Sequence, residues 1–441
     1  MRKKNKSRRD FLKLSAATGV GYWVSNSSEV ARSESPNAQI QFACIGVSGK
    51  GDSDSNDCGR MGKVVAICDV DERGLAKKAA RFPEAKKYFD YRTMLDELGD
   101  EVDAVTVSTP DHNHAPAAAI ALRNKKHCFV QKPMTQSIHE ARVLSELAQE
   151  NGVATMMGNQ GTANTGLRRA AAVIQQGTLG KASEVHVWTN RPIWPQGIGR
   201  PQEKMPVPKW LHWDQWIGPS EFRPYHPAYH PEKWRGFWDF GTGALGDMAC
   251  HTVNMSFMAL DLKDPTSIQA ETSTHNGETY PSWAVIDFEF PERHGRPPIK
   301  FTWYDGGKRP PQHLFQGVEQ TKTSGCLVVG EKGTLFSPGD YAETYQLLGG
   351  VEDPADVDFV ESPGHFEEWV RAIDGGPPAV SNFPEYAGPL TENILLGNLA
   401  VWAAAEGTGK KIDWDAANLK PSNAPELETI VKREYRHGYV L

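Results

Sequence analysis

The chain has 441 residues, 39 % of them hydrophobic and 23 % charged, a composition that suits a soluble globular protein long enough for two domains. A net charge of −7 leaves no basic footprint, so no nucleic-acid partner is expected. The 6 cysteines are scattered and form no C-x-x-C pair, which argues for buried free thiols rather than a thiolate zinc site or a disulfide framework.

Ser7-Arg8-Arg9-Asp10-Phe11-Leu12-Lys13 looks like a twin-arginine export signal, and residues 14–24 follow as a short, weakly apolar run. That run is too short to cross a bilayer, so no integral span is expected. The reading places the protein in the periplasm, delivered folded by a route that suits an enzyme loaded with its cofactor in the cytoplasm. Residues 1–36 are set aside as signal and linker, with cleavage near Val30-Ala31 and retention as an anchor both open.

From residue 37 to 160 strands and helices alternate, the pattern of a Rossmann domain with a doubly wound parallel sheet. The apolar run 40–47 reads as a strand buried on both faces. It ends in Gly46-Val47-Ser48-Gly49-Lys50-Gly51, a G-x-x-G-x-G variant of the dinucleotide turn. A short helix and a second strand, 64–68, lead to Asp69, placed to accept the adenosine ribose hydroxyls. A carboxylate there repels a 2′-phosphate, so NAD is favoured over NADP. Helices over 74–81 and 91–98 precede a third strand, 104–108, which ends in Ser108-Thr109-Pro110-Asp111-His112-Asn113-His114. A helix over 115–124 and a fourth strand, 127–130, end in Gln131-Lys132-Pro133. Ser137 with Glu140 predicts a capping box opening a helix to 150, and a fifth strand, 154–157, ends in Gly158-Asn159-Gln160.

Ligands of open parallel sheets bind at the carboxyl ends of strands. The candidate cofactor contacts are therefore Gly46, Ser48, Gly49 and Gly51 of the turn, with Asp69; Ser108, Thr109, Pro110, His112 and His114; Gln131 and Lys132; Asn159 and Gln160.

A second domain is assigned to residues 161–441. It opens with a helix carrying Arg168, Arg169 and Ile174, then a strand over 182–189. Residues 191–238 are dense in Pro, Trp, Tyr and His without periodicity, and a loop of that length is usually functional. The chain holds 13 Trp, many between Trp188 and Trp303, and aromatic walls suit the C–H faces of sugars, though they also suit plain packing. The candidate substrate contacts are Trp216, Tyr225, His226, Tyr229, His230, Trp234, Arg235 and Trp238, with Arg168. His226 and His230 form H-x-x-x-H, a zinc pattern on a helix. Pro224, Pro227 and Pro231 argue against a regular helix, so hydrogen bonding to sugar hydroxyls is preferred and no metal is assigned.

Residues 239–260 open with Gly241, Gly243 and Gly246 and become helical, with apolar residues at spacings of three and four. Asp247 and His251 stand one turn apart on one face. A carboxylate beside an imidazole orients the ring and raises its proton affinity, the making of a general base. Strands follow over 267–273, 283–290, 299–304 and 326–330, then a tight turn at 330–333, and helices over 364–373 and 391–405.

The glycine turn, the S-T-P-D-x-x-H loop, the K-P step and the downstream D-x-x-x-H resemble the Gfo/Idh/MocA oxidoreductases over nearly the whole chain after the signal. The resemblance implies an NAD(P)-binding Rossmann domain plus a C-terminal α/β domain with a large open, mainly antiparallel sheet. That sheet often pairs subunits, so a homodimer or homotetramer is expected. It also implies that Lys132, Asp247 and His251 surround the reacting carbinol, with His251 the acid/base. The family's usual E-K-P reads Gln131-Lys132-Pro133 here, so Lys132 lacks its usual neighbour. The expected activity is hydride transfer between NAD and a ring carbon, such as C3, of a carbohydrate: a sugar, glycoside or polyol. Two alternatives stand beside it: redox-neutral glycoside cleavage with retained NAD, and a sugar- or cofactor-binding protein without catalysis.

Overall fold

The apolar run near residue 40 becomes the central strand of a parallel sheet because both of its faces are covered. A computed structural model describes residues 39–320 and 323–441; the export motif and the expected signal lie outside the described residues. The first half runs β1 (Gln41–Ile45), α1 (Lys50–Met61), β2 (Lys63–Cys68), α2 (Glu72–Arg81), β3 (Lys86–Tyr88), α3 (Tyr91–Leu98), β4 (Ala104–Val107), α4 (His114–Arg123), β5 (His127–Val130), α5 (Ile138–Asn151) and β6 (Thr155–Met157). These strands form one parallel sheet in the order β3-β2-β1-β4-β5-β6. The chain winds outward from β1 to β3, then returns to place β4 on the other side of β1. That reversal opens a crevice beyond the carboxyl ends of β1 and β4. Strand β3, Lys-Lys-Tyr, carries no apolar run for the sequence to show, because it is a short edge strand with two exposed lysines. The expected capping box is present: Ser137 accepts from the Glu140 amide, and Glu140 accepts from the Ser137 amide.

The second half adds α6 (Thr165–Gln175), β7 (Ala182–Trp188), α7 (Trp213–Ile217), α8 (Gly243–Thr252), α9 (Asn254–Leu260), β8 (Ser267–Thr272), β9 (Ala284–Phe290), β10 (Ile299–Tyr304), β11 (Gly325–Gly330), β12 (Thr334–Pro338) and β13 (Gln346–Leu348). It closes with α10 (His365–Ile373), α11 (Gly388–Ala403), β14 (Ile412–Asp415) and β15 (Lys420–Pro421). The second sheet has the order β13-β12-β11-β7-β10-β9-β8-β14-β15 and is antiparallel except where β7 meets β10. The helix read over 239–260 is two helices, with Val253 between them. Helix α10 returns to the first sheet, where Phe366 stacks 4.6 Å from Phe129 and Trp369 packs on Phe42. The first sheet therefore finishes one of its faces with residues from the far end of the chain.

The insertion after β7 builds a small aromatic core of its own. Trp213 stacks on Trp216 at 4.6 Å, and Tyr229 meets Phe237 at 4.7 Å and Phe240 at 5.2 Å, edge to face. These rings bury one another, so the segment holds its shape without long elements. All 6 cysteines are buried and free. Among the described residues no helix is long and apolar enough to cross a membrane.

Candidate functional site

A cavity of about 660 Å³ runs from the glycine turn after β1 to helix α8. At one end lie Ser48, Gly49 and Asp69; at the other lie Lys132, Asp247 and His251.

The turn end is shaped by close backbone approach. A Cβ on Gly46 would stand 2.6 Å from the Ser108 carbonyl oxygen, and one on Gly51 would overlap the Gly46 carbonyl. Gly49 has φ 55°, and a Cβ there would meet nothing within 4 Å, so the backbone is bare toward the cavity. Helix α1 starts at this point, with its N-terminus at the turn. Asp69 accepts from the Val47 amide at 3.0 Å and the Asp71 amide at 3.0 Å, which fixes the carboxylate at the end of β2. A bare backbone turn at a helix N-terminus, with a fixed carboxylate at the next strand end, fits a dinucleotide.

Below the turn a buried carboxylate ties three loops together. Asp54, fully buried on α1, accepts from Ser108 Oγ at 2.8 Å and from Gln131 Nε2 at 2.8 Å, and pairs with Lys50. A Cβ on Gly158 would stand 2.6 Å from the Gln131 amide, so that side chain has no room to swing. An amide at 131 can donate to Asp54, whereas a carboxylate could not. This gives a physical reason for glutamine in the Q-K-P step.

At the opposite end Lys132 Nζ donates to Asp247 Oδ1 at 2.7 Å and to the Asp247 carbonyl at 2.9 Å. Arg235 Nε lies 3.3 Å from the same Asp247 oxygen, and its Nη1 donates to both oxygens of Asp111 at 3.0 Å. Thr242 also donates to Asp111 at 2.6 Å. Burial works to raise the Asp247 carboxyl, but Lys132 and Arg235 outweigh it and hold it well below the ordinary carboxylate range. His251 is 3 % exposed; its Nδ1 has no hydrogen-bond partner among the described residues, and its ring meets Tyr341 edge to face at 4.8 Å. Burial, then the Lys132 charge, push its imidazole well below the ordinary value, and Asp247 pulls the other way without prevailing. The ring is neutral and able to take a proton. The expectation that Asp247 orients the His251 ring is corrected here: Asp247 holds Lys132 and Arg235 instead.

The cavity gathers Gly46, Ser48, Gly49, Asp69, Ser108, Thr109, Pro110, Gln131, Lys132 and Gln160 from the expected cofactor contacts. Of the expected substrate contacts it gathers Trp216, His230, Trp234 and Arg235. The others are placed elsewhere. His112 lies with its ring nitrogens 3.1 Å from the Phe240 carbonyl and 2.8 Å from the Trp216 carbonyl. The His114 nitrogens lie 2.8 Å from the Pro133 carbonyl and 2.7 Å from the Thr109 carbonyl. Both rings pin loops rather than line the cavity. Gly51 packs under the turn, and Asn159 is fully buried where it accepts from Ser381. Arg168 makes a buried ion pair with Glu368 and donates to the Thr162 carbonyl at 2.8 Å, outside the cavity. Tyr225 and Tyr229 belong to the aromatic core of the insertion, and Trp238 stacks 3.7 Å from Tyr280. His226 accepts from the Ala228 amide at 3.0 Å in a turn, not a helix. His230 lies at the ribose end of the cavity rather than the carbinol end, since its nearest charges are Asp71 and Arg73. Among the described residues no three His, Cys, Asp or Glu side chains gather as a metal group.

Asp111, Arg191, Tyr341 and Tyr439 also line the cavity and were not among the expected contacts. Asp111 could have been found, since it stands in the polar cluster after β4. Tyr341 and Tyr439 carry no local signal; the first arrives from the loop between β12 and β13, the second from the C-terminal tail.

Comparison with known proteins bears on the family and the fold. A family described as "Oxidoreductase family, NAD-binding Rossmann fold", Gfo/Idh/MocA, matches residues 19–159. Its "Oxidoreductase family, C-terminal alpha/beta domain" matches residues 164–294, so the two together span more than half of the chain. The chain is 30 % identical over 146 residues to scyllo-inositol 2-dehydrogenase (NAD(+)) of Bacillus subtilis, covering 33 % of this chain and 39 % of that protein. It is 29 % identical over 150 residues to a glycosyl hydrolase family 109 protein of Solibacter usitatus, covering 30 % of this chain and 34 % of that protein. Its match thus spans about a third of the length of such curated relatives. Among solved structures, the WlbA dehydrogenase of Bordetella pertussis in complex with NADH and UDP-GlcNAcA has a TM-score of 0.59 at 18 % identity, covering 86 % of this chain and 99 % of that chain. At that identity the likeness is one of fold.

Proposed function

The chain belongs to the Gfo/Idh/MocA oxidoreductase family, and from that premise we propose that it oxidises or reduces a carbinol carbon of a sugar, glycoside or polyol, with NAD as cofactor. One observation carries the reading: Lys132, Asp247 and a neutral His251 with an unpartnered ring nitrogen share a cavity with the glycine turn.

The turn residues Ser48 and Gly49, the N-terminus of α1 and Asp69 would hold the dinucleotide. When bound, the nicotinamide supplies the place to which hydride goes or from which it comes. The protein's own residues do the rest. The Lys132 ammonium, held by Asp247, donates to the reacting oxygen and steadies charge that develops there. His251 accepts the hydroxyl proton in oxidation and returns it in reduction. Asp247, held ionised, keeps the ammonium in place, and the Arg235–Asp111 pair fixes Asp247 from the other side. Trp216 and Trp234 offer apolar faces to a sugar ring, and Arg191 and Gln160 offer donors to its hydroxyls. The Asp69 carboxylate disfavours a 2′-phosphate and supports NAD over NADP. Export to the periplasm belongs to the same proposal, supported by the twin-arginine pattern at residues 7–13.

The test is hydride transfer, followed as nucleotide absorbance, across a panel of sugars, glycosides and polyols with NAD and NADP. The expected result is turnover with NAD that falls in His251→Ala and Lys132→Ala; equal activity in wild type and both variants overturns the assignment. A second reading, redox-neutral glycoside cleavage, is favoured by the likeness to the glycosyl hydrolase family 109 protein. It predicts aglycone release without added nucleotide and without net reduction of it.

A further inference from the structure

The aromatic insertion leaves the second half of the chain and docks on the turn between β2 and α2. Residues 71 and 211 form a β-bridge. The Glu72 amide donates to the Trp210 carbonyl at 2.9 Å, and the His212 amide donates to the Val70 carbonyl at 2.9 Å. The Arg73 guanidinium lies 3.3 Å above the Trp210 ring, and His212 stacks on Phe89 at 4.0 Å. This turn follows Asp69, and Val70, Asp71 and Phe89 line the cavity, so the insertion docks beside the end that the reading above gives to the adenosine ribose.

The C-terminal tail fastens the crossing from outside. The Arg436 amide donates to the Pro219 carbonyl at 2.8 Å, and the Arg92 guanidinium donates to the Gly438 carbonyl at 3.0 Å. Tyr439 of this tail also lines the cavity, so two separate stretches of chain reach its wall.

Further along the insertion, a turn over residues 227–230 brings a histidine to the cavity wall. His230 lines the cavity and is 7 % exposed, and its Nδ1 is buried with no hydrogen-bond partner among the described residues. Its ring is walled by Trp210 at 6.1 Å and Trp216 at 5.9 Å. Burial brings its imidazole down to about 4, so the ring is neutral near pH 7, with one nitrogen to donate and one to accept. A buried polar atom left open calls for a partner, and a ligand in the adjoining cavity is one that can supply it.

We propose that residues 208–234 form a latch over the ribose end of the dinucleotide site, with His230 as its contact to the nucleotide, so that the nucleotide leaves only when the 210–212 crossing lifts from the β2–α2 turn. The proposal rests on the reading that the cavity holds a nicotinamide dinucleotide. It goes beyond that reading in naming what limits exchange.

Arg73 lies outside the cavity lining with its side chain 60 % exposed, and it holds both the Trp210 ring and the Asp71 carboxylate, so its removal loosens the docking turn from outside. The full chain, loaded with NADH and freed of excess by desalting, is chased with NAD while the nucleotide fluorescence is followed. The release rate is expected to rise about threefold to fivefold in Arg73→Ala, the worth of one cation–π contact. It is expected to rise about tenfold in His230→Ala, the worth of a hydrogen bond with its packing. Loading should also slow amide hydrogen exchange across residues 208–218 in wild type. Release at the wild-type rate in both variants, or exchange in 208–218 indifferent to NADH, overturns the latch while leaving the dinucleotide site standing. Failure of wild type to bind NADH at all overturns the functional reading itself, and the latch with it.

Discussion

Between β4 and the start of α4, His112 and His114 each have both ring nitrogens within 3.1 Å of a backbone carbonyl, whereas His251 on α8 keeps Nδ1 without a partner among the described residues. All three rings are buried, and burial lowers the proton affinity of each. Their neighbours differ. His112 and His114 are enclosed by main chain from the 109–133 and 216–240 stretches and hold those stretches together. His251 faces Lys132, Asp247 and the cavity. Burial and a perturbed affinity alone do not mark a working histidine; an unused ring nitrogen beside a charged pair does.

The widest separation should appear in turnover. His251→Ala should lower kcat by about a thousandfold on any substrate the wild type accepts, a usual loss for a general acid/base, with little change in melting temperature. His112→Ala should do the reverse. Losing the ring empties a fully buried site and removes its hydrogen bonds to the 216–240 stretch, at about 3 kcal/mol in urea unfolding. Abolished turnover in a well-folded His112→Ala protein would break the comparison.

Acid should expose the buried rings together. His112 sits at about 3, and His230 and His365 at about 4, all lowered first by burial. Below about pH 6.5 the unfolded chain takes up protons that the folded chain refuses until those lower values. Stability is therefore full above about pH 6.5 and falls as the pH drops toward 4, by about 2 kcal/mol per histidine at pH 5, with His251 adding in the same direction. Unfolding free energies measured at pH 7, 6 and 5 should decline by that route, and a flat profile contradicts the buried neutral state.

The smallest effect concerns Gln131, whose amide is satisfied where His251 is not. Gln131→Glu sets a second carboxylate against buried Asp54 and should cost about 1–2 kcal/mol at pH 8. Adding Asp54→Asn should restore most of that loss; a double variant no better than the single one would show that charge at this corner is not the cause.

The sequence carried much of the site. Lys132, Asp247 and His251 were legible because each stands at a strand end or on a marked helix face. The partner of Asp247 was not legible. Helical spacing puts it beside His251, but the Lys132 ammonium, 115 positions away, reaches it first. Nor could spacing distinguish Trp216 and His230, which line the cavity, from Tyr225 and Tyr229, which do not, since all four belong to one aromatic stretch.

By itself the sequence determined the alternation of strands and helices, the glycine turn, the Ser137–Glu140 cap and the strand ends that carry chemistry, because each is written in periodicity or in side chains a few residues apart. Tertiary structure decided which polar groups are satisfied, why residue 131 is an amide, and where the aromatic insertion comes to rest. Those outcomes depend on contacts between segments far apart in the chain, and no local pattern constrains which carbonyl or carboxylate a given side chain will meet.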